Sequence, residues 1–137
     1  MNGKTAAVLG VGPGLGAAVA RRFAREGFAV ALMARREGSV ASVREEIEAA
    51  GGTALPVSAD ATDPASVAAA FDQIRSNLGA PEVFVYNAGA FQMGGILDLS
   101  PEKFDECFKA NCAGAFCTPS TNSGFLSESS ALGGPKR

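Results

Sequence analysis

The chain has 137 residues, the length of one domain with a modest core, and carries 12 Lys and Arg against 14 Asp and Glu for a formal charge of −2. No basic block is long enough to track a phosphate backbone, so a dedicated nucleic-acid binder is not expected. The absence of His excludes Ser-His-Asp and Cys-His nucleophile systems and any His-ligated metal.

The first residues, Met1-Asn2-Gly3-Lys4, lack the apolar segment of a signal peptide, and no apolar run nears the roughly 18 residues of a membrane span. A cytoplasmic protein without a membrane partner is expected. Residues 5–9 form a short apolar run ending in glycines, and residues 17–26 are helical in composition and close at Gly27, so a strand, a turn and a helix are predicted. Residues 28–34 (FAVALMA) are continuously apolar, as in a parallel strand buried on both faces, and a helix over residues 39–50 closes at Gly51. A third strand over residues 53–58 leads to Asp63-Pro64, where Asp caps and Pro starts a helix reaching Leu78 before Gly79. Residues 83–86 make a fourth strand, and Ser100-Pro101 repeats the cap-then-Pro start for a helix continuing to about Phe116.

This alternation predicts an α/β fold, a Rossmann-like doubly wound parallel sheet that is incomplete at about four strands. The domain is expected over residues 1–117. Residues 118–137, TPSTNSGFLSESSALGGPKR, are dominated by Ser, Thr, Gly, Pro and Asn, and are expected to be an irregular or disordered tail foreign to that fold. The three cysteines, Cys107, Cys112 and Cys117, step by five residues. On a helix each thiol turns about 140° from the last, so they read as reduced small hydrophobes and no metal site is expected.

The first turn reads Gly10-Val11-Gly12-Pro13-Gly14-Leu15-Gly16 between a buried strand and a helix. Glycines there let the backbone pass close to a pyrophosphate, whose charge sits at the helix N-terminus. A turn also needs glycine for its own sake, and it is the strand-turn-helix setting that favours phosphate binding. The second strand ends in Ala34-Arg35-Arg36. An NAD-binding unit would be expected to carry Asp or Glu there for the ribose 2′-OH, whereas arginine suits a 2′-phosphate, so NADP(H) is favoured over NAD(H). One of the two arginines is expected only to cap the strand in water.

With Asp60 after the third strand, Asn87-Ala88-Gly89 after the fourth and Asn111 in the following helix, the chain resembles the short-chain dehydrogenase/reductase family over about residues 4–116. Gly10, Gly14 and Gly16 match that family's GxxxGxG turn, and its NNAG motif stands as Tyr86-Asn87-Ala88-Gly89, with Tyr for the first Asn. The resemblance implies that Gly10, Gly12, Pro13, Gly14, Leu15 and Gly16 carry the cofactor turn. It implies that Asp60, with Ala61 beside it, accepts from the adenine amino group, that Asn87 braces the sheet, and that Ala88 and Gly89 lie against the cofactor ribose. Asn111 would hold a water in the family's proton relay, beside a Ser and a Tyr-x-x-x-Lys pair. The chain's one Tyr, Tyr86, is followed four residues on by Ala90, and no other member of the Asn-Ser-Tyr-Lys set is present.

The expected function is therefore that of an NAD(P)-dependent oxidoreductase, moving hydride between nicotinamide and a small carbonyl or alcohol. This chain is expected to represent the cofactor-binding half and to be inactive alone. The alternative is a non-catalytic dinucleotide-binding module that senses NADP(H) or pairs with a full-length relative. A homo-oligomer through the helix starting near Ser100 is a further expectation.

Overall fold

A computed structural model describes residues 3–120. In chain order it contains β1 (Thr5–Leu9), α1 (Leu15–Arg25), β2 (Ala29–Ala34), a 3₁₀ turn (Glu37–Val40), α2 (Ala41–Ala49), β3 (Thr53–Ser58), α3 (Pro64–Leu78), β4 (Val83–Tyr86), α4 (Pro101–Phe108), a π turn (Lys109–Ala113) and α5 (Gly114–Ser120). The four strands form one parallel sheet in the order β3-β2-β1-β4. Strand order reverses between β1 and β4, and the crevice at such a reversal is where α/β sheets bind ligands.

The apolar runs explain the double winding. Every residue of β1 is buried, and alternate side chains leave opposite faces of a strand. Leu9, Ala31 and Met33 pack with Val67, Phe71 and Ile74 of α3, whereas Val8, Val30 and Leu32 pack with Ala17 and Ala20 of α1 and Val43 and Ile47 of α2. A strand that alternated apolar with polar could not hold helices on both sides.

The predicted caps are present. The Ala65 N–H donates to Asp63 Oδ1 at 3.0 Å, Pro64 opens α3, and the Lys103 N–H donates to Ser100 Oγ at 3.4 Å. Two stretches differ from the sequence expectation. The segment expected to be helical from Ser39 first makes the 3₁₀ turn, where Ser39 donates its N–H and hydroxyl to the Arg36 carbonyl at 3.0 and 2.6 Å. The helix expected to stop near Phe116 is interrupted by the π turn and runs to Ser120, with the Thr118 hydroxyl donating to the Gly114 carbonyl at 2.7 Å. Of the expected tail, residues 121–137 lie outside the described residues.

Candidate functional site

The turn after β1 is locked against the end of β4. Gly10 has φ +94°, and a Cβ on it would stand 2.5 Å from the Ala88 nitrogen and 2.6 Å from the Asn87 carbonyl carbon. A Cβ on Gly16 would overlap the Gly10 oxygen. Asn87 Nδ2 donates to that same oxygen at 2.9 Å, so the side chain expected to brace the sheet ties β4 to the glycine turn. Gly12 and Gly14 are different: a Cβ on either would meet nothing within 4 Å. The fold itself thus requires Gly10 and Gly16, while the bare backbone at Gly12 and Gly14 faces open space. Gly14 caps α1 without a side-chain oxygen, and of the first N–H groups that of Ala17 goes to the Gly12 carbonyl at 3.1 Å.

A cleft of about 1160 Å³ opens along the C-terminal ends of the strands. It gathers Gly10, Gly12, Arg35, Arg36, Asp60, Ala61, Asn87, Ala88 and Gly89 from four separate turns. Pro13, Gly14, Leu15, Gly16 and Asn111 are not on its lining. Sequence reasoning missed Ser39, Thr62 and Phe91, together with Glu106, Lys109 and Ala110 from α4 and the π turn. Thr62, two residues beyond Asp60, carried a readable signal as an Asx-turn partner; the others enter through tertiary folding.

Arg35 and Arg36 are exposed, and among the described residues neither takes part in an ion pair. After the neighbouring β3, Asp60 Oδ1 accepts from the Thr62 hydroxyl at 2.7 Å and the Thr62 N–H at 2.9 Å. Those two bonds, helped by the Arg35 charge, hold the Asp60 carboxyl below the usual carboxylate range. Asp60 is not the cap of α3, which is Asp63.

The Asn111 side chain is committed to the backbone of Ala90: Nδ2 donates to the carbonyl at 2.7 Å and Oδ1 accepts from the N–H at 3.1 Å. Tyr86 donates its hydroxyl to the Ala110 carbonyl. Burial, with a smaller contribution from the Asp60 charge, raises the Tyr86 phenol above its ordinary value. A raised acid favours the folded state below about pH 10, and that contribution is lost as pH climbs past the unfolded phenol's value. Tyr86 is the only tyrosine and there is no tryptophan, so phenolate absorbance belongs to this group alone. A higher titration midpoint is expected in the folded chain than in urea; an equal or lower one would contradict the burial.

Among the described residues no cluster of His, Cys, Asp and Glu could hold a metal ion, and no helix is long and apolar enough to cross a membrane. The sheet order and the cleft at its reversal define a Rossmann-like α/β protein. The family model for short chain dehydrogenase matches residues 4–130, and the chain belongs to that family. Members of the family bind NAD(P) nucleotides and act on small molecules.

A versicolorin reductase of Emericella nidulans is 33 % identical over 117 residues, covering 85 % of this chain and 44 % of that protein. An uncharacterized oxidoreductase of Caenorhabditis elegans is 40 % identical over 106 residues, 76 % of this chain and 34 % of the relative. Among solved structures, a short-chain type dehydrogenase/reductase from Mycobacterium marinum superposes with a TM-score of 0.87 at 34 % identity, covering 96 % of this chain and 53 % of that one. The chain therefore spans about half the length of these relatives or less.

Proposed function

We propose that this chain is the NADP(H)-binding half of an oxidoreductase that transfers hydride between the nicotinamide and a small carbonyl or alcohol. The observation that carries the reading is the cleft. It has the bare Gly12 backbone after β1 and, after the neighbouring β2, two guanidiniums without ion-pair partners among the described residues. The first suits a pyrophosphate and the second a ribose 2′-phosphate. Asp60, with Oδ1 held by Thr62, would accept from the adenine amino group beside Ala61, and Ala88 and Gly89 would lie against the second ribose. Pro13, Gly14 and Leu15 would shape the approach to α1, with Gly16 holding the turn beneath. Asn111 is the one retained member of the family's catalytic set, and its side chain serves Ala90. A cytoplasmic setting belongs to the same reading.

Titration of NADPH fluorescence tests it. Wild type is expected to bind, and Gly12→Leu, which fills open space, to lose at least about tenfold in affinity, about 1.4 kcal/mol, while keeping its melting temperature. Unchanged affinity in the variant would sink the reading. NADPH oxidation with a panel of ketones is expected to show no turnover by the chain alone, because Tyr-x-x-x-Lys is absent.

One observation favours a second reading, a non-catalytic module that pairs with a longer relative or a second copy. Phe104 and Phe108 of α4 stack at 6.3 Å yet are 59 % and 51 % exposed. Under that reading the chain stays monodisperse while binding NADPH; a bare fragment aggregates through this face.

A further inference from the structure

The π turn is an irregular element placed where α4 meets the cleft, and the hydrogen bonds around it show what holds it. Because the turn is wound i to i−5, the Gly114 N–H goes to the carbonyl of Lys109. An α-helix would have sent that N–H to Ala110. The Tyr86 hydroxyl takes the Ala110 carbonyl instead. The ring that delivers it is fixed from below: Tyr86 packs edge-to-face on Phe84 at 6.5 Å, and Phe84 on Phe71 of α3 at 5.3 Å. Gly114 passes directly over the phenol. A Cβ there would stand 2.5 Å from the Tyr86 oxygen and 2.5 Å from the Ala61 carbonyl, so only a residue without a side chain fits. Asn111, next after Ala110, is thereby presented to Ala90, which it grips from both sides.

We propose that Tyr86 is a positioning residue for the nucleotide cleft: its hydroxyl holds the π turn in register, so that Asn111 clamps Ala90 and fixes the cleft wall formed by residues 88–91. The inference rests on the NADP(H) reading above. Without the hydroxyl the Ala110 carbonyl is free to retake the Gly114 N–H. Reversion to an α turn would rotate α4 relative to α5 by about 100°, one residue's worth, and draw Asn111 from Ala90. The wall affected lies across the cleft from Arg35 and Arg36, so the loss should fall on one end of the ligand only.

The test compares two ligands on wild type, Tyr86→Phe and Asn111→Ala: NADPH, which spans the cleft, and adenosine 2′,5′-bisphosphate, which reaches only the arginine end. Tyr86→Phe keeps the ring and is expected to bind NADPH about five- to tenfold more weakly, the scale of one net hydrogen bond, with the bisphosphate unchanged. Asn111→Ala should show the same split, and the double variant should be no weaker than the worse single, since both remove one linkage. Equal weakening for both ligands would mean a general loss of structure and overturn the proposal, as would wild-type NADPH affinity in Tyr86→Phe.

Should Tyr86→Phe fail to fold, fluorotyrosine incorporated into the wild-type chain reports on this group through one fluorine resonance. NADPH should move that resonance and the bisphosphate leave it in place; a resonance indifferent to NADPH overturns the proposal. Wild type that binds neither ligand defeats the NADP(H) reading as well, whereas wild type that binds both beside an unaffected Tyr86→Phe defeats this inference alone.

Discussion

Gly10→Ala is expected to lower the stability of the chain by about 2 to 5 kcal/mol, from two costs that no side-chain movement can relieve. The first is conformational. Gly10 sits at φ +94°, where a Cβ crowds its own backbone by about 1 to 2 kcal/mol. The second is steric. The added methyl would lie 2.5 to 2.7 Å from three backbone atoms of residues 87 and 88, against an ordinary contact of at least 3.4 Å. Those atoms close the β1–β4 pairing, in which the Asn87 N–H donates to the Leu9 carbonyl at 2.8 Å, so relief requires the two strands to part. Overpacking of this kind costs about 1 to 3 kcal/mol. Urea unfolding followed by circular dichroism measures the sum. A loss of no more than about 1 kcal/mol, which the φ term alone would account for, would mean that the turn does not press on β4 as described. Gly12→Ala, in open space, is the matched control and should unfold with the wild type.

That contrast also shows how far the sequence could be read. The strands and the helix starts were legible because their causes are local: continuous apolar runs, Asp63 and Ser100 as caps, and prolines at the first helical position. The doubly wound order follows from strand-helix alternation, and the cleft follows from the order. What the sequence could not do was divide the glycines. Gly10, Gly12, Gly14 and Gly16 read as one signal, yet two serve the contact with β4 and two leave space for something else. The π turn was likewise invisible. Its causes are the bonds from Tyr86 to Ala110 and from Asn111 to Ala90, between residues 24 and 21 positions apart, and no local propensity encodes them. Tyr86 could be read only as a departure from a motif; in the folded chain it is the donor that the interrupted helix lacks. Asn111 shows the same limit, since its place in a helix was legible but its grip on Ala90 was not.

The arginine pair yields the largest expected effect on binding. In Arg35→Ala/Arg36→Ala, NADPH affinity should fall ten- to a hundredfold, about 1.4 to 2.8 kcal/mol, while NADH affinity stays within about twofold. Exposed ion pairs between side chains are often worth less than about 1 kcal/mol, because two mobile chains must be ordered against solvent. Three features raise the value here. A ribose 2′-phosphate is a doubly charged, geometrically fixed acceptor that matches the guanidinium fork. Both guanidiniums stand ready, since among the described residues no carboxylate pairs with them. The strand end that carries them is pinned by its own carbonyls, Arg36 to Ser39 and Arg35 to Ser58, so the backbone need not be ordered on binding.

The two residues should not contribute equally. Arg35 lies in the field of the Asp60 carboxylate, which offsets part of its pull on an added anion. Arg36→Ala is therefore expected to cost more than Arg35→Ala. Raising the salt concentration should weaken NADPH more than NADH, by screening only the extra phosphate. Parallel fluorescence titrations with the two cofactors check all of this. If both lost affinity equally in the double variant, the arginines would be serving the fold or the pyrophosphate, and the choice of NADP(H) over NAD(H) would have to lie elsewhere in the cleft.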